Sequence, residues 1–175
     1  MTETVTSTNE AWFTDPATLR EVVLDSTALL DRLASCPDIE RVWILVLLGR
    51  CDEAMAEGEA LLARSSKRLN PLLVLACAYR GQYRWHEARR LQEEALRLAA
   101  TPAREAAVRY QIGRRLFEEA LYADAAAEFE WARDLYRTAR RPWSEIEASE
   151  NAMIRARELA TRSHRENSTT SSALP

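Results

Sequence analysis

Three short stretches of this chain repeat one another, and their spacing limits the fold more than any other feature. Gly49-Arg50-Cys51-Asp52-Glu53-Ala54, Tyr83-Arg84-Trp85-His86-Glu87-Ala88 and Ala120-Leu121-Tyr122-Ala123-Asp124-Ala125 each pass from a turn, through Cys or an aromatic, to an acidic residue and an alanine. The alanines lie 34 and 37 residues apart. A repeat of this length is a single supersecondary unit that cannot bury its apolar face alone, so successive copies must stack. The longer second interval places three extra residues around positions 99–105.

Helix is the element that fills the repeat. Glycine (4) and proline (6) are scarce, while Ala, Leu, Arg and Glu dominate, the residues that lose least on entering a helix. Pro16, Pro37, Pro71, Pro102 and Pro142 punctuate the chain where helices should begin, because a proline at the first turn forgoes an N–H that has no partner there. Asp15, Asn70 and Thr101 precede three of them as candidate caps. Apolar periodicity then predicts eight helices at about 16–34, 38–48, 51–65, 71–82, 84–99, 102–119, 121–140 and 142–163. The second, apolar nearly all round from Val42 to Leu48, should be buried on most sides. Residues 1–14 form a flexible leader in this reading, 15–163 one helical domain, and the Ser/Thr-rich 164–175 a disordered tail.

With these positions the chain resembles the tetratricopeptide-repeat family, whose period is 34. The family places a small residue midway along the first helix of each hairpin, where Val42, Ala76 and Gly113 stand, and a large one three positions later, where Leu45, Tyr79 and Leu116 stand. Ala54, Ala88 and Ala125 match its close-packing alanines in the second helix, and Ala95 and Ala132 a later small position that Leu61 fills in the first repeat. The first repeat departs further, with Arg41 for the usual Leu and Gly58 for the usual aromatic. The resemblance implies an all-α fold: a short right-handed superhelical solenoid of antiparallel helix hairpins. Its repeats fall at about 37–68, 69–100 and 102–141, between flanking helices 16–34 and 142–163. A solenoid needs polar-faced capping elements at its ends. The final helix can serve as one, with Ile146, Met153, Ala156 and Ala160 inward and Glu145, Glu150, Arg157 and Glu158 outward, or it is the first half of a fourth repeat.

Charge and composition remove several function classes. With 24 Lys+Arg against 27 Asp+Glu and a net charge of -3, the basic excess expected of a nucleic-acid binder is missing. The longest apolar run, Val42 to Leu48, is far below the roughly 20 residues of a membrane span, and the N-terminus lacks signal-peptide character. A cytoplasmic location is the expectation. Three cysteines (Cys36, Cys51, Cys77) and two histidines (His86, His164) show no zinc-ligand spacing, so neither metal nor cofactor is expected. No Gly-rich phosphate loop, H-E-x-x-H or serine elbow occurs, and a Cys77–His86 pair would lack a third, orienting group. The expected role is not enzymatic.

In the tetratricopeptide family the first helices line a concave groove that binds extended or helical peptides. The matching positions here are Ile39 and Trp43 with Val46 and Leu47; Leu73, Cys77 and Arg80 with Gly81; and Tyr110, Arg114 and Phe117 with Glu118. Such a groove would anchor apolar side chains, while Arg80 and Arg114 offer bidentate donors to a carboxylate. Trp43, Val46 and Leu47 suit the core equally well. Relatives that clamp a chaperone's terminal carboxylate carry Lys and Asn where Ile39 and Trp43 stand, so that role is not expected. Trp12 and Phe13, two aromatics in a polar leader, either fold back on the first helix or dock into another molecule, a second copy included. The expectation is an adaptor that holds a protein or peptide. The alternative is a regulatory module acting in trans with a bacterial transcription or signalling regulator, since the 136–142 linker resembles those of helical repeats attached to such regulators.

Overall fold

Short turns with a left-handed residue break an otherwise helical chain, and they recur with the sequence repeat. A computed structural model describes residues 11–171, with side chains as far as 165. Gly49, Tyr83 and Ala120 have φ of 72°, 57° and 60°. The residue after each adopts nearly one conformation: φ/ψ of −85/55 at Arg50, −85/69 at Arg84 and −86/61 at Leu121. At two of these turns the following N–H returns to a carbonyl of the last helical turn (Arg50 to Leu45, Leu121 to Leu116, both 2.9 Å), which closes the helix end in a Schellman arrangement. Ala54, Ala88 and Ala125, each further along the next helix, are fully buried.

The described residues contain two short strands, β1 (Trp12–Thr14) and β2 (Glu21–Val23), and eight helices. These are α1 (Ser26–Leu33), α2 (Asp38–Leu47), α3 (Cys51–Arg64), α4 (Leu69–Gly81), α5 (Trp85–Leu98), α6 (Pro102–Glu118), α7 (Tyr122–Thr138) and α8 (Trp143–Ser171). Six of them, α2 to α7, fall within a few residues of the positions that periodicity predicts, and α8 starts beside its predicted position but runs further. The chain divides after Tyr83 into two compact units.

In the first unit α2 packs on α3 and α4, and α3 on α4. Leu45 and Ala54 are completely buried, with Val42, Ile44, Leu61, Val74 and Ala78 around them. Gly58 of α3 faces both α4 and α2: a Cβ there would lie 2.9 Å from Leu75 Cδ1 of α4 and at ordinary contact distance, 3.5 Å, from Val42 Cγ1 of α2. In the second unit α6 packs on α5 and α7, and α7 on α8. At the crossing of α6 and α7 the sizes are exchanged: Gly113 is the small residue, and the fully buried Phe129 ring lies 2.7–3.1 Å from where its Cβ would be. Val42 and Gly58 in one hairpin thus stand where Gly113 and Phe129 stand in the other. The space beside Gly58 is filled by Leu75 of α4 as well as by Val42 of α2, so ridges and grooves still interlock.

The N-terminal region differs from the predicted helix over 16–34. Asp15 does not cap a helix; its carboxylate accepts from Ala17 N (2.9 Å) and Thr18 Oγ1 (2.7 Å) and traps a turn. Leu19 follows at φ 55, a conformation that costs a non-glycine residue about 1–2 kcal/mol. β1 and β2 then pair antiparallel, with Trp12 opposite Val23, Phe13 opposite Val22 and Thr14 opposite Glu21. The Val22-Val23 pair prefers this extended backbone. Helix begins only at Ser26, where Asp25 accepts from Ala28 N at 2.9 Å. Residues 11–14 are therefore structured, contrary to the flexible-leader reading; its residues 1–10 lie outside those described. Asn70 is likewise no cap, since α4 already starts at Leu69. Thr101 does cap α6, accepting from Arg104 N at 3.3 Å. At the other end α8 continues to Ser171, through much of the expected disordered tail, and residues 172–175 lie outside those described.

Candidate functional site

The β-hairpin lies on the surface of α2 and α4 where the sequence places part of a binding groove. Alternation along its strands sends Trp12, Thr14, Glu21 and Val23 to one side and Phe13 and Val22 to the other, where both are exposed. Ala11, Trp12 and Val23 pack against the first unit's core. The Trp12 ring meets Trp43 of α2 edge to face, with centroids 5.6 Å apart, a favoured geometry for aromatic pairs. Glu21 carries its carboxylate to Arg80 of α4 at 3.5 Å, with the two side chains only 12% and 4% exposed. Beside them Arg20 donates to the Tyr83 hydroxyl (3.2 Å) and stands 5.4 Å from the centre of its ring.

Two of the groove positions read from the sequence, Trp43 and Arg80, thus take an aromatic side chain and a carboxylate from the chain's own N-terminal segment. Ile39 is exposed at the start of α2, and Leu73 is half-buried on α4. Cys77 is 6% exposed and belongs to the interior of α4. Arg20, Glu21 and Tyr83 were not legible as site residues while 16–34 read as helix. The signal that could have found them is the pairing of Trp12-Phe13 with Val22-Val23 across an Asp-Pro turn.

In the second unit Tyr110, Arg114 and Phe117 all sit on α6. Tyr110 is half-buried with its ring 5.5 Å from Phe129, and Phe117 is buried edge-on to Tyr122 at 5.3 Å. Both aromatics serve the α6–α7 interface. Arg114 is 4% exposed, which leaves little of its guanidinium for an incoming carboxylate. The same unit has a cleft of about 620 Å³ bordered by α5, α6 and α7, with Trp85, His86, Glu93, Glu119, Asp124 and Glu128 among its lining. Arg115 crosses its floor, donating to Gln92 at 2.8 Å and paired with Glu119, while Gln92 donates on to the Gln111 carbonyl at 3.0 Å. Glu128 is engaged by Arg109 (3.1 Å), which also meets Glu105 (2.8 Å) and places its guanidinium carbon 3.2 Å from the Trp131 ring centre.

Burial raises the thiol pKa values of Cys36 and Cys51, with Glu40 and Asp52 respectively adding to the effect, so neither is an activated thiolate at neutral pH. Among the described residues no group of three His, Cys, Asp or Glu is placed to hold a metal ion, and no helix is long and apolar enough to cross a membrane. Compared with models of known families, with curated proteins and with solved structures, the chain matches none.

Proposed function

We propose that this chain is a tetratricopeptide-type interaction scaffold, which uses the α2–α4 surface of its first unit to hold an extended segment of another protein. The observation that carries this reading is the seat of the β-hairpin: a tryptophan ring on Trp43 and a carboxylate on the nearly buried Arg80. Buried aromatic and arginine side chains are enriched among binding hot spots, and charge-assisted hydrogen bonds are among the stronger polar contacts. The repeat assignment is supported by the near-identical backbone at Arg50, Arg84 and Leu121 and by the buried alanines that follow. Trp43 and Arg80 are the specificity residues of this surface, Tyr83 borders it, and Ile39 lies at its α2 end.

The test is selection of a random peptide library on the full-length chain. Enriched peptides should share an aromatic and an acidic residue, and their affinity should fall at least about tenfold on Trp43→Ala, the loss typical of an anchor residue. Enrichment of peptides whose binding ignores Trp43 would place recognition elsewhere and overturn the assignment.

A further inference from the structure

Resting on that reading, we infer that the β1–β2 hairpin is an internal occupant of the α2–α4 surface that an external segment of the same chemistry displaces. The hairpin sets Trp12 against Trp43 and covers Arg80 with Glu21, so a partner cannot take either contact while it is seated. Its seat comprises Ala11, Trp12 and Val23 against the core, the buried Leu19 and the Glu21–Arg80 pair, and its strand pairing depends on that seat. Each strand has three residues, and an isolated two-stranded hairpin is marginal in water. Its outer face leaves Phe13, Val22 and Leu24 at 43%, 38% and 63% exposed. Leu19 holds a left-handed backbone conformation within the connecting turn, strain that opening releases. The guanidinium–carboxylate contact is at the long end of hydrogen-bonding distance, and Arg20 with Tyr83 forms an exposed pair.

The hairpin thereby states what the surface selects: a pair of extended strands with an aromatic side chain on one and a carboxylate on the other. It also sets the threshold for binding. A ligand's apparent affinity is reduced by the fraction of molecules in which the hairpin is open, so weakening the hairpin should strengthen capture of a competitor.

The experiment uses full-length protein and a fluorescent synthetic peptide of residues 11–24, titrated by anisotropy. Trp12→Ala with Glu21→Gln in the protein should tighten peptide binding at least about tenfold over the unsubstituted chain, as the open fraction rises. The same two substitutions in the peptide should abolish the gain. If the doubly substituted protein loses helicity, Glu21→Gln alone serves, with a smaller gain in the same direction. Equal affinity of substituted and unsubstituted protein would show the surface already open and overturn the displacement, while leaving the binding surface intact. Binding to neither would remove both readings. A concentration-dependent rise in mass on loosening the hairpin would show exchange between two copies, and would also overturn displacement by an outside segment.

Discussion

Gly113→Ala tests the close crossing of α6 and α7 with a single methyl group. That methyl would meet three carbons of the Phe129 ring at 2.7, 2.8 and 3.1 Å, whereas carbon–carbon contacts are optimal near about 3.5–4.0 Å. Phe129 is fully buried and has Tyr110 against it, so the ring cannot swing aside without moving its neighbours. Overpacking costs about 1–3 kcal/mol, and with three carbons of an immovable ring this close, the cost here is the upper part of that range, about 2–3 kcal/mol. The substitution also recovers about 1 kcal/mol of helix propensity. The balance is a loss of about 1–2 kcal/mol, or a fall in Tm of about 3–6 °C for a chain of this size. Chemical denaturation followed by circular dichroism measures it. Phe129→Leu in the same chain should recover about 1 kcal/mol of the loss in a double-mutant cycle, because the two positions touch. Gly58→Ala is the internal contrast: the only atom closer than 3.0 Å is the flexible end of Leu75, and the propensity gain leaves stability within about 0.5 kcal/mol of the parent. A Gly113→Ala protein as stable as its parent would refute the close packing of Phe129 on Gly113.

Three further outcomes follow from local geometry. Ala120→Gly, at an exposed turn with φ 60, should raise stability by about 0.5–1 kcal/mol, since the left-handed strain relieved exceeds the added chain entropy; an unchanged urea midpoint would argue against strain there. Gln92→Leu removes the bridge between the Arg115 guanidinium and the Gln111 carbonyl and should cost about 1–3 kcal/mol, the penalty of depriving buried polar groups of their partner; a neutral substitution would show that Glu119 alone satisfies Arg115. Burial, reinforced by Glu145 and Tyr110, pushes the Tyr136 hydroxyl up to about 12, above its unfolded value near about 10. Its contribution is complete below the unfolded value and is lost as pH rises through the folded one, so Tyr136→Phe should flatten the alkaline fall in denaturation midpoint. An identical slope in that variant would assign the fall to other groups.

The helices were legible because their determinants are local. Apolar spacing, proline at helix starts and the acid–alanine pattern act within one or two turns, and α2 to α8 begin where those signals stand. The misread stretch was 16–25, where the same apolar spacing competed with a turn that Asp15 closes through its own neighbours. Strand pairing decided it, because Trp12 must meet both Val23 and Trp43 before extended backbone gains over helix. Arg80 was read as a guanidinium suited to a partner's carboxylate; the carboxylate beside it in the structure is Glu21, 59 residues earlier, a contact no periodicity encodes.

The repeat with which the chain announces itself therefore determined the number, order and limits of most helices, since each is a short-range consequence of propensity, capping and apolar period. Tertiary structure alone decided which partner each crossing residue meets. It set Val42 against Gly58 in one hairpin and Phe129 against Gly113 in the other, and it laid the N-terminal strands over Trp43 and Arg80. The physical reason is the range of the forces. Helix formation is settled among neighbours in sequence, whereas close packing and the pairing of buried charges are settled only among neighbours in space.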